Sequence, residues 1–386
     1  MKQPAFFLSK PFITTLALQA AVIGLIFYAA HGLLVNTQEN LEARNIASGF
    51  GFLSLESGMP ISNSLLPYSP ADSYGYAFFM GILNTLYVAF WGIILATILG
   101  VFIGVARVSS NWLISKLSEI YVEILRNVPL LLLLFFTYSV VLAALPLPKK
   151  SLEPFQGFFL NNRGIYLPRP IPESGFWIVC LAALAGIVAA FLIHWYATRL
   201  HRDTGRILPS FTLGVFAMIT IPAIAWWLTK GPLSWEFAVL KGFNFLGGLV
   251  IRPEFSALMT GLILYTAAFI GENVRSGIQS VDIGQINSSK ALGLTAGLTM
   301  KKVVLPQALR VIIPATTNDY TSLVKNSSLA VAIGYPDMVS IGGTIIGQND
   351  QAIEVIAMWM GVYMTINLLV SMIMNWLNAK AQLIGR

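Results

Sequence analysis

The stretch of this chain whose residue types and spacing are suited to work runs Y-T-A-A-F-I-G-E-N-V-R-S-G-I-Q-S-V-D-I-G-Q-I-N-S-S-K-A-L-G-L-T-A-G-L-T-M-K-K-V-V-L-P-Q-A-L-R-V-I-I-P, residues 265–314. Ser288 to Leu292 reads as a short helix. Gly293 suits the left-handed conformation that ends a helix, and Thr295 is a good N-cap for the turn that follows. Pro306 and Pro314 are then expected to break the chain into pieces one to two turns long, because each lacks an amide hydrogen and restricts the residue before it. The expectation is a compact helix–glycine–helix elbow, basic at Lys290, Lys301 and Lys302. Two uses fit such an elbow. Seated in a groove of a partner, it moves with that groove as a lever; lying alone, it rests on anionic lipid as an amphipathic helix.

Catalysis has no comparable footing. The chain lacks G-x-x-x-x-G-K-[ST], so it does not cradle nucleotide phosphate itself, and it lacks G-x-S-x-G and H-E-x-x-H. Cys180 is the single cysteine and lies in an apolar run, which excludes a disulfide frame or thiolate cluster and makes it a small apolar packer. His31, His194 and His201 are scattered near the ends of apolar runs and never reach metal-ligand spacing. No catalytic residue, cofactor or metal is expected in this chain.

Composition dictates the elements that must position the elbow. Hydrophobic residues make up 56% of the 386 and charged residues 11%, whereas soluble domains carry about 25% charged residues. The mean hydropathy is +0.72. Apolar runs of about 20 residues must satisfy their backbone hydrogen bonds inside helices in lipid. Eight spans are expected, at residues 12–34, 80–106, 125–145, 176–197, 209–229, 255–272, 323–346 and 353–377. The seventh holds Lys325, Asn326, Pro336 and Asp337, so it is either broken or starts several residues later. The first is too long for a signal-peptide core and is expected to stay as an anchor.

A net charge of +7 would point to nucleic acid in a soluble protein; here it accounts for orientation, and no nucleic-acid partner is expected. With a cytoplasmic N-terminus, an even number of spans returns the C-terminus to the same side, and 16 of the lysines and arginines fall inside against 8 outside, as the positive-inside rule requires. The elbow then projects into the cytoplasm. Trp226, Trp227 and Trp235 flank one outer interface as an aromatic belt would. Two exterior segments, 36–73 and 146–175, are polar and rich in turn residues, and are expected to be ordered loops or docking surface rather than domains.

Several motifs, in order, carry a resemblance. G-Q-I-N-S-S-K-A-L-G at 284–293, followed after eleven residues by L-P-Q-A, resembles the signature loop of binding-protein-dependent ABC import permeases, particularly of the polar amino acid family. That family usually reads G-Q-x-E-A-A-x-A-L-G and then L-P-Q-A. The run 265–281, R-N-V-P-L at 126–130 and K-N-S-S-L-A at 325–330 match as well, so the resemblance covers about 200 residues in two blocks, 81–136 and 260–377. It implies an all-α integral membrane protein of about eight transmembrane helices, with a five-helix importer-permease core and a short cytoplasmic coupling helix.

The implied role is a transport subunit of a bacterial inner membrane, embedded in lipid and with no ATPase site of its own. A periplasmic amino-acid-binding protein delivers the substrate, a polar L-amino acid. A separate ABC ATPase dimer binds ATP and Mg, and its closure is converted by the elbow into alternating access. The residues that the resemblance assigns to this coupling are Gly284, Gln285, Asn287, Ser288, Ser289, Ala291, Leu292, Gly293, Leu305 and Pro306.

Two departures qualify the match. Asn287, Ser288 and Ser289 stand where the family commonly has Glu-Ala-Ala, which excludes a salt bridge from that position, although Asn287 can still hydrogen-bond and the two serines are small enough for close approach. A paralogous permease that keeps the Glu would explain the loss through a heterodimer. The second departure is length: typical members have five spans, whereas here two helices, within 176–229, and long exterior loops are inserted. This looks like the longer permeases of general L-amino acid importers. The expected organisation is residues 1–79 as a first helix and exterior loop, 80–146 and 257–386 as the two parts of the permease core, 147–256 as the insertion, and 280–314 as the coupling loop.

Within the spans that match the core, Asn84, Thr85, Thr137, Tyr138, Glu272, Asn273 and Asn318 are candidates for a substrate path or gate, since polar groups in lipid are expensive and face bundle interiors. The bland alternative is hydrogen-bonded glue between helices. Glu272 also reads as a boundary residue paired with Arg275 at i, i+3. Asn127 and Pro129 break the start of the third span. The rival reading, an ion-coupled secondary amino acid transporter, would want a midplane ionisable residue and inverted repeats, and neither is evident. A non-transporting membrane scaffold is the other.

Overall fold

The computed structural model describes residues 10–43, 49–206 and 208–383. Lys2, Arg44 and Arg386 of the charge count lie outside the described residues. The chain divides into two compact units, Met1–Thr137 with Ala257–Arg386, and Tyr138–Ser256.

The elements of the first unit begin with α1 (Lys10–Ala43), α2 (Tyr74–Arg107), α3 (Trp112–Asn127) and α4 (Leu130–Ala144), whose C-terminal part passes into the second unit. α1 extends past the expected end at residue 34, so the start of the expected loop 36–73 is helical. The side chain of Asn40 donates back to the Asn36 carbonyl at 2.7 Å along this extension. The third span is two helices, bent by 108°. Pro129 is the reason: it forces Val128 into an extended conformation, φ −89° and ψ 128°, and α4 starts afresh.

The second unit carries β1 (Phe159–Asn161), β2 (Gly164–Leu167), β3 (Arg169–Pro172), α5 (Phe176–Thr204), α6 (Ser210–Leu228), β4 (Leu233–Glu236), β5 (Val239–Lys241), β6 (Asn244–Leu246) and β7 (Leu249–Ile251). β2 lies between β1 and β7 in an antiparallel sheet, β3 pairs with β4, and β5 with β6. Residues 146–175 were expected to be loops. They contribute three strands instead, whose partners lie partly in 233–251 on the far side of α5 and α6. α5 and α6 pack on each other through small residues: a Cβ on Gly186 would stand 3.2 Å from the Met218 Cα, and one on Gly214 3.4 Å from the Ala190 Cβ.

The chain returns to the first unit along α7 (Pro253–Gln279), then forms α8 (Ile283–Ala291), α9 (Ala296–Thr299), α10 (Leu305–Asn326), α11 (Met338–Asn349) and α12 (Ala352–Leu383). α2 and α7 approach closely because Gly100 and Gly104 face Ile270, Gly271 and Val274; a Cβ on Gly100 would stand 2.6 Å from that of Ile270. α10 packs against both α2 and α12.

The proline expectation fails here. Pro306 sits in the first turn of α10, where no amide donor is required, and Pro314 lies inside a continuous 22-residue helix. Ala308, Ile312, Thr316, Leu323 and Val324 of α10 are buried while Pro314 is on the exposed side, so packing of the opposite face holds the helix together. The Thr316 and Thr317 hydroxyls donate to the Ile312 and Ile313 carbonyls at 2.9 Å in the same turns.

The seventh expected span is broken. After α10 a tight helical segment, Ser327–Ile333, ends at Gly334 in the left-handed region, and the axis turns by 54° into α11. Six helices among the described residues are long and apolar enough to cross a membrane, and the two bent pairs bring the number to eight.

Candidate functional site

The elbow is built by local chemistry. Asp282 caps α8 by accepting the Gly284 amide at 2.6 Å, and Gly293, at φ +78°, closes its other end. The amides of Gly293 and Leu294 bond the carbonyls of Lys290 at 2.9 Å and Ser289 at 3.1 Å, which satisfies two carbonyls the helix leaves open. Thr295 then caps α9, accepting the Leu298 amide.

Two side-chain bonds close the elbow on itself. The Ser289 hydroxyl lies 3.0 Å from that of Thr299, and Gln307 of α10 donates to Gln285 at 2.5 Å. Its root is apolar: Val281, Val304, Ala308 and Ile312 are buried together with Val274 and Ile270. Its tip is not buried: Ile283 is 73% and Leu292 81% exposed.

Of the expected coupling residues, Gly284, Gln285, Asn287, Ser288, Ala291, Leu292, Gly293 and Leu305 are exposed, and Pro306 is half-buried. Ser289 is the exception. It is buried against Thr299, so it shapes the elbow's interior and is not available for close approach to a partner. Met300–Val304 forms a wider, π-type turn between α9 and α10, which makes the second limb one nearly continuous helical run.

The candidate path residues fall into separate places. Asn84 donates to the carbonyls of Asn63 at 2.7 Å and Pro336 at 2.8 Å, and Thr85 accepts the Met338 amide at 3.1 Å. Both are fully buried and hold the break between α10 and α11 to α2. Asp337, also fully buried, caps α11 by accepting the Ser340 amide at 2.8 Å. Thr137 donates to the Leu134 and Ala257 carbonyls at 3.0 and 3.2 Å and joins α4 to α7. The Tyr138 hydroxyl donates to Glu254 at 3.4 Å. Glu272 takes Arg275 at 2.5 Å, as the i, i+3 spacing predicts, and also pairs with Arg107 at the end of α2. Asn318 is exposed.

Asn273 leads to a cavity between α7 and α10. Its amide donates to Asp319 of α10 at 2.6 Å, and Asp319, Ser322 and Asn326 line a cavity of about 250 Å³ with Tyr265, Thr266 and Phe269 of α7. The Arg126 guanidinium lies 5.2 Å from the centre of the Phe269 ring. One carboxylate, two neutral hydrogen-bonding side chains and an aromatic face can hold an ammonium group and an amphipathic side chain. The sequence singles out Asn318 and not its neighbour Asp319. The signal was there: 319, 322 and 326 share one helical face, as do 265, 269 and 273, but an α10 assumed broken at Pro314 hides it.

The model of the family described as binding-protein-dependent transport system inner membrane component matches residues 182–382. Along nearly its full length the chain is 45% identical to a protein of Escherichia coli named as an amino-acid ABC transporter permease, YhdX, covering 95% of this chain and 92% of that one. The chain belongs to the binding-protein-dependent permease family. It is 43% identical to the general L-amino acid transport system permease protein AapQ of Rhizobium johnstonii, covering 95% and 90%, and 34% identical to the glutamate/glutamine/aspartate/asparagine transport system permease protein BztB of Rhodobacter capsulatus, covering 96% and 94%. Such a permease is a membrane transport subunit that works with an ATPase and a binding protein. Its elbow and its α7–α10 cavity are joined by the same two helices, α7 and α10.

Proposed function

We propose that this permease moves amino acids inward across a bacterial inner membrane by alternating access, driven by ATP that a separate ATPase dimer binds with Mg. The observation that carries this reading is the elbow: a self-bonded lever with an exposed tip at Ile283 and Leu292, set on the same α7 and α10 that line a small polar cavity. Both termini are on the cytoplasmic side, and the elbow projects there into a groove of the ATPase. Gly284, Gln285, Asn287, Ser288, Ala291, Leu292, Gly293 and Leu305 form or shape the seat, with Ser289 and Pro306 supporting it from within.

The α7–α10 cavity is the substrate path, with Asp319 facing the substrate ammonium and Asn273 orienting Asp319. Asn84, Thr85 and Thr137 act as joints between helices, and Glu272 as the clasp between α2 and α7. Relatives whose names give substrates include permeases for general L-amino acids and for glutamate, glutamine, aspartate and asparagine, which supports an amino acid substrate. Nothing in those names favours the ion-coupled alternative.

The neutral Asn287 points to a heterodimer in which a paralogous permease keeps the acid. The test is reconstitution: proteoliposomes holding this chain, its partner permease, the ATPase and the binding protein, supplied with ATP inside and labelled amino acids outside. ATP-dependent uptake that requires the binding protein is expected. Uptake that persists without ATP and follows a proton or sodium gradient would overturn the reading.

A further inference from the structure

The β1–β2 hairpin and the end of β7 bring together charges that the transport path does not use. β1 and β2 are joined by the two-residue turn Asn162–Arg163, and β2 pairs with β7 so that Ile165 stands opposite Ile251. Gly164 packs so closely on the Ile251 carbonyl that a side chain would collide there. One residue further along each strand, Arg163 and Arg252 therefore leave the sheet at the same end. Arg252 is followed at once by α7, whose first turn holds Glu254.

These residues line a cavity of about 360 Å³ together with Tyr166 and Asn244, which are hydrogen-bonded to each other at 3.2 Å. Burial pushes the Tyr166 hydroxyl above its ordinary range, and the guanidiniums of Arg163 and Arg252 pull it back, so both positive charges act on the same wall. The side-chain oxygen of Asn162 is buried and has no hydrogen-bond partner among the described residues. Roughly nine in ten buried polar atoms have one, so such an oxygen awaits a donor.

Two guanidiniums, a carboxylate and an unmatched carbonyl oxygen are the recognition set of a zwitterion: planar donors for its carboxylate, and acceptors for its ammonium. We propose that this cavity is a receiving site for a free α-amino acid, with the ligand carboxylate on Arg163 and Arg252 and the ammonium on Asn162 and Glu254. Its volume is in the range of small-ligand pockets, which begins at about 300 Å³. Two positive charges against one negative leave an excess of +1, which favours an acidic side chain. Binding is weak, because both arginines are exposed and screened by salt. The proposal rests on the reading of this chain as an amino acid permease. It adds a holding site in the strand-bearing unit, apart from the cavity at Asp319.

The assembled transporter in lipid nanodiscs, without binding protein, is treated with phenylglyoxal, and modification of Arg163 and Arg252 is read by mass spectrometry of their peptides. L-Glutamate is expected to protect both arginines. In Arg252→Gln, and separately in Asn162→Leu, the concentration that half-protects Arg163 should rise by about tenfold, as expected for loss of one charge-assisted contact. Unchanged protection in both variants overturns the proposal. So does protection by phosphoethanolamine with none by L-glutamate, which would make the cavity a lipid-headgroup site. ATP-dependent uptake of labelled amino acids by the same wild-type complex in proteoliposomes is measured alongside. Uptake without protection removes this site alone, whereas absence of any amino acid uptake removes the reading on which it rests.

Discussion

Replacing Gly293 separates the geometry of the elbow from its contacts. The residue sits at φ +78°, and a Cβ added there would meet no atom of the described residues within 4 Å. At the Cβ, substitution therefore costs backbone energy and meets no steric contact among the described residues. That cost is about 1–2 kcal/mol for an ordinary L-residue in the left-handed region, less for Asn, and more for β-branched Val. If the residue leaves that region, the two bonds that close α8, to Lys290 and Ser289, go with it. A cost of about 1–2 kcal/mol lowers the ratio of native to unwound elbow by about 5–30-fold. Gly293→Asn, Gly293→Ala and Gly293→Val form a graded series, to be compared for uptake and for ATPase stimulation by loaded binding protein in the assembled complex. The expected order is wild type close to Asn, then Ala, then Val, with equal amounts of complex in the membrane. If Asn were as damaged as Val, side-chain bulk against a partner, and not the backbone angle, would be the cause, and the reasoning would be refuted. Full activity of the Val variant would refute it too.

Three further expectations follow from named contacts. Asp319→Asn keeps the shape of the α7–α10 cavity but removes its charge, so uptake should fall about tenfold or more for loss of a charged contact, with assembly unchanged; equal uptake would remove Asp319 from the path. Glu272→Gln leaves Arg107 and Arg275 without their carboxylate, and since each charged hydrogen bond is worth about 1.5–3 kcal/mol at most, thermal stability of the complex should drop. Combined with Arg107→Ala the loss should be less than additive, and strict additivity would mean that the clasp between α2 and α7 carries no energy. Asn287 is exposed, so Asn287→Glu should be tolerated, an exposed ion pair being worth about 0–1 kcal/mol. Abolished ATPase coupling in that variant, with the matching Glu-to-Asn change in the partner permease silent, would reverse the proposed asymmetry.

Sequence by itself determined whatever depends on near neighbours along the chain. The spans are legible because lipid leaves an apolar run no other way to satisfy its backbone. The elbow is legible because a C-terminal glycine and an N-terminal threonine act within one turn. The bend after Asn127 is legible because a proline restricts the residue before it. The family is legible for a related reason: its motifs are short, ordered and tied to those same turns.

Tertiary structure alone decided what depends on which face is covered. Pro314 breaks an isolated helix, yet α10 continues through it because α2 and α12 bury the opposite side. Asp319 and Asn273 lie 46 positions apart and meet only when α7 and α10 pack together. Ser289 resembles its exposed neighbour Ser288 until α9 folds back and gives it Thr299 as a partner. Strands of three or four residues, such as β2 and β7, have too little pattern to announce themselves, and they exist because partners from distant parts of the chain complete their hydrogen bonds. Local chemistry sets where an element starts and stops, whereas a side chain's surroundings are set by segments that no nearby residue specifies.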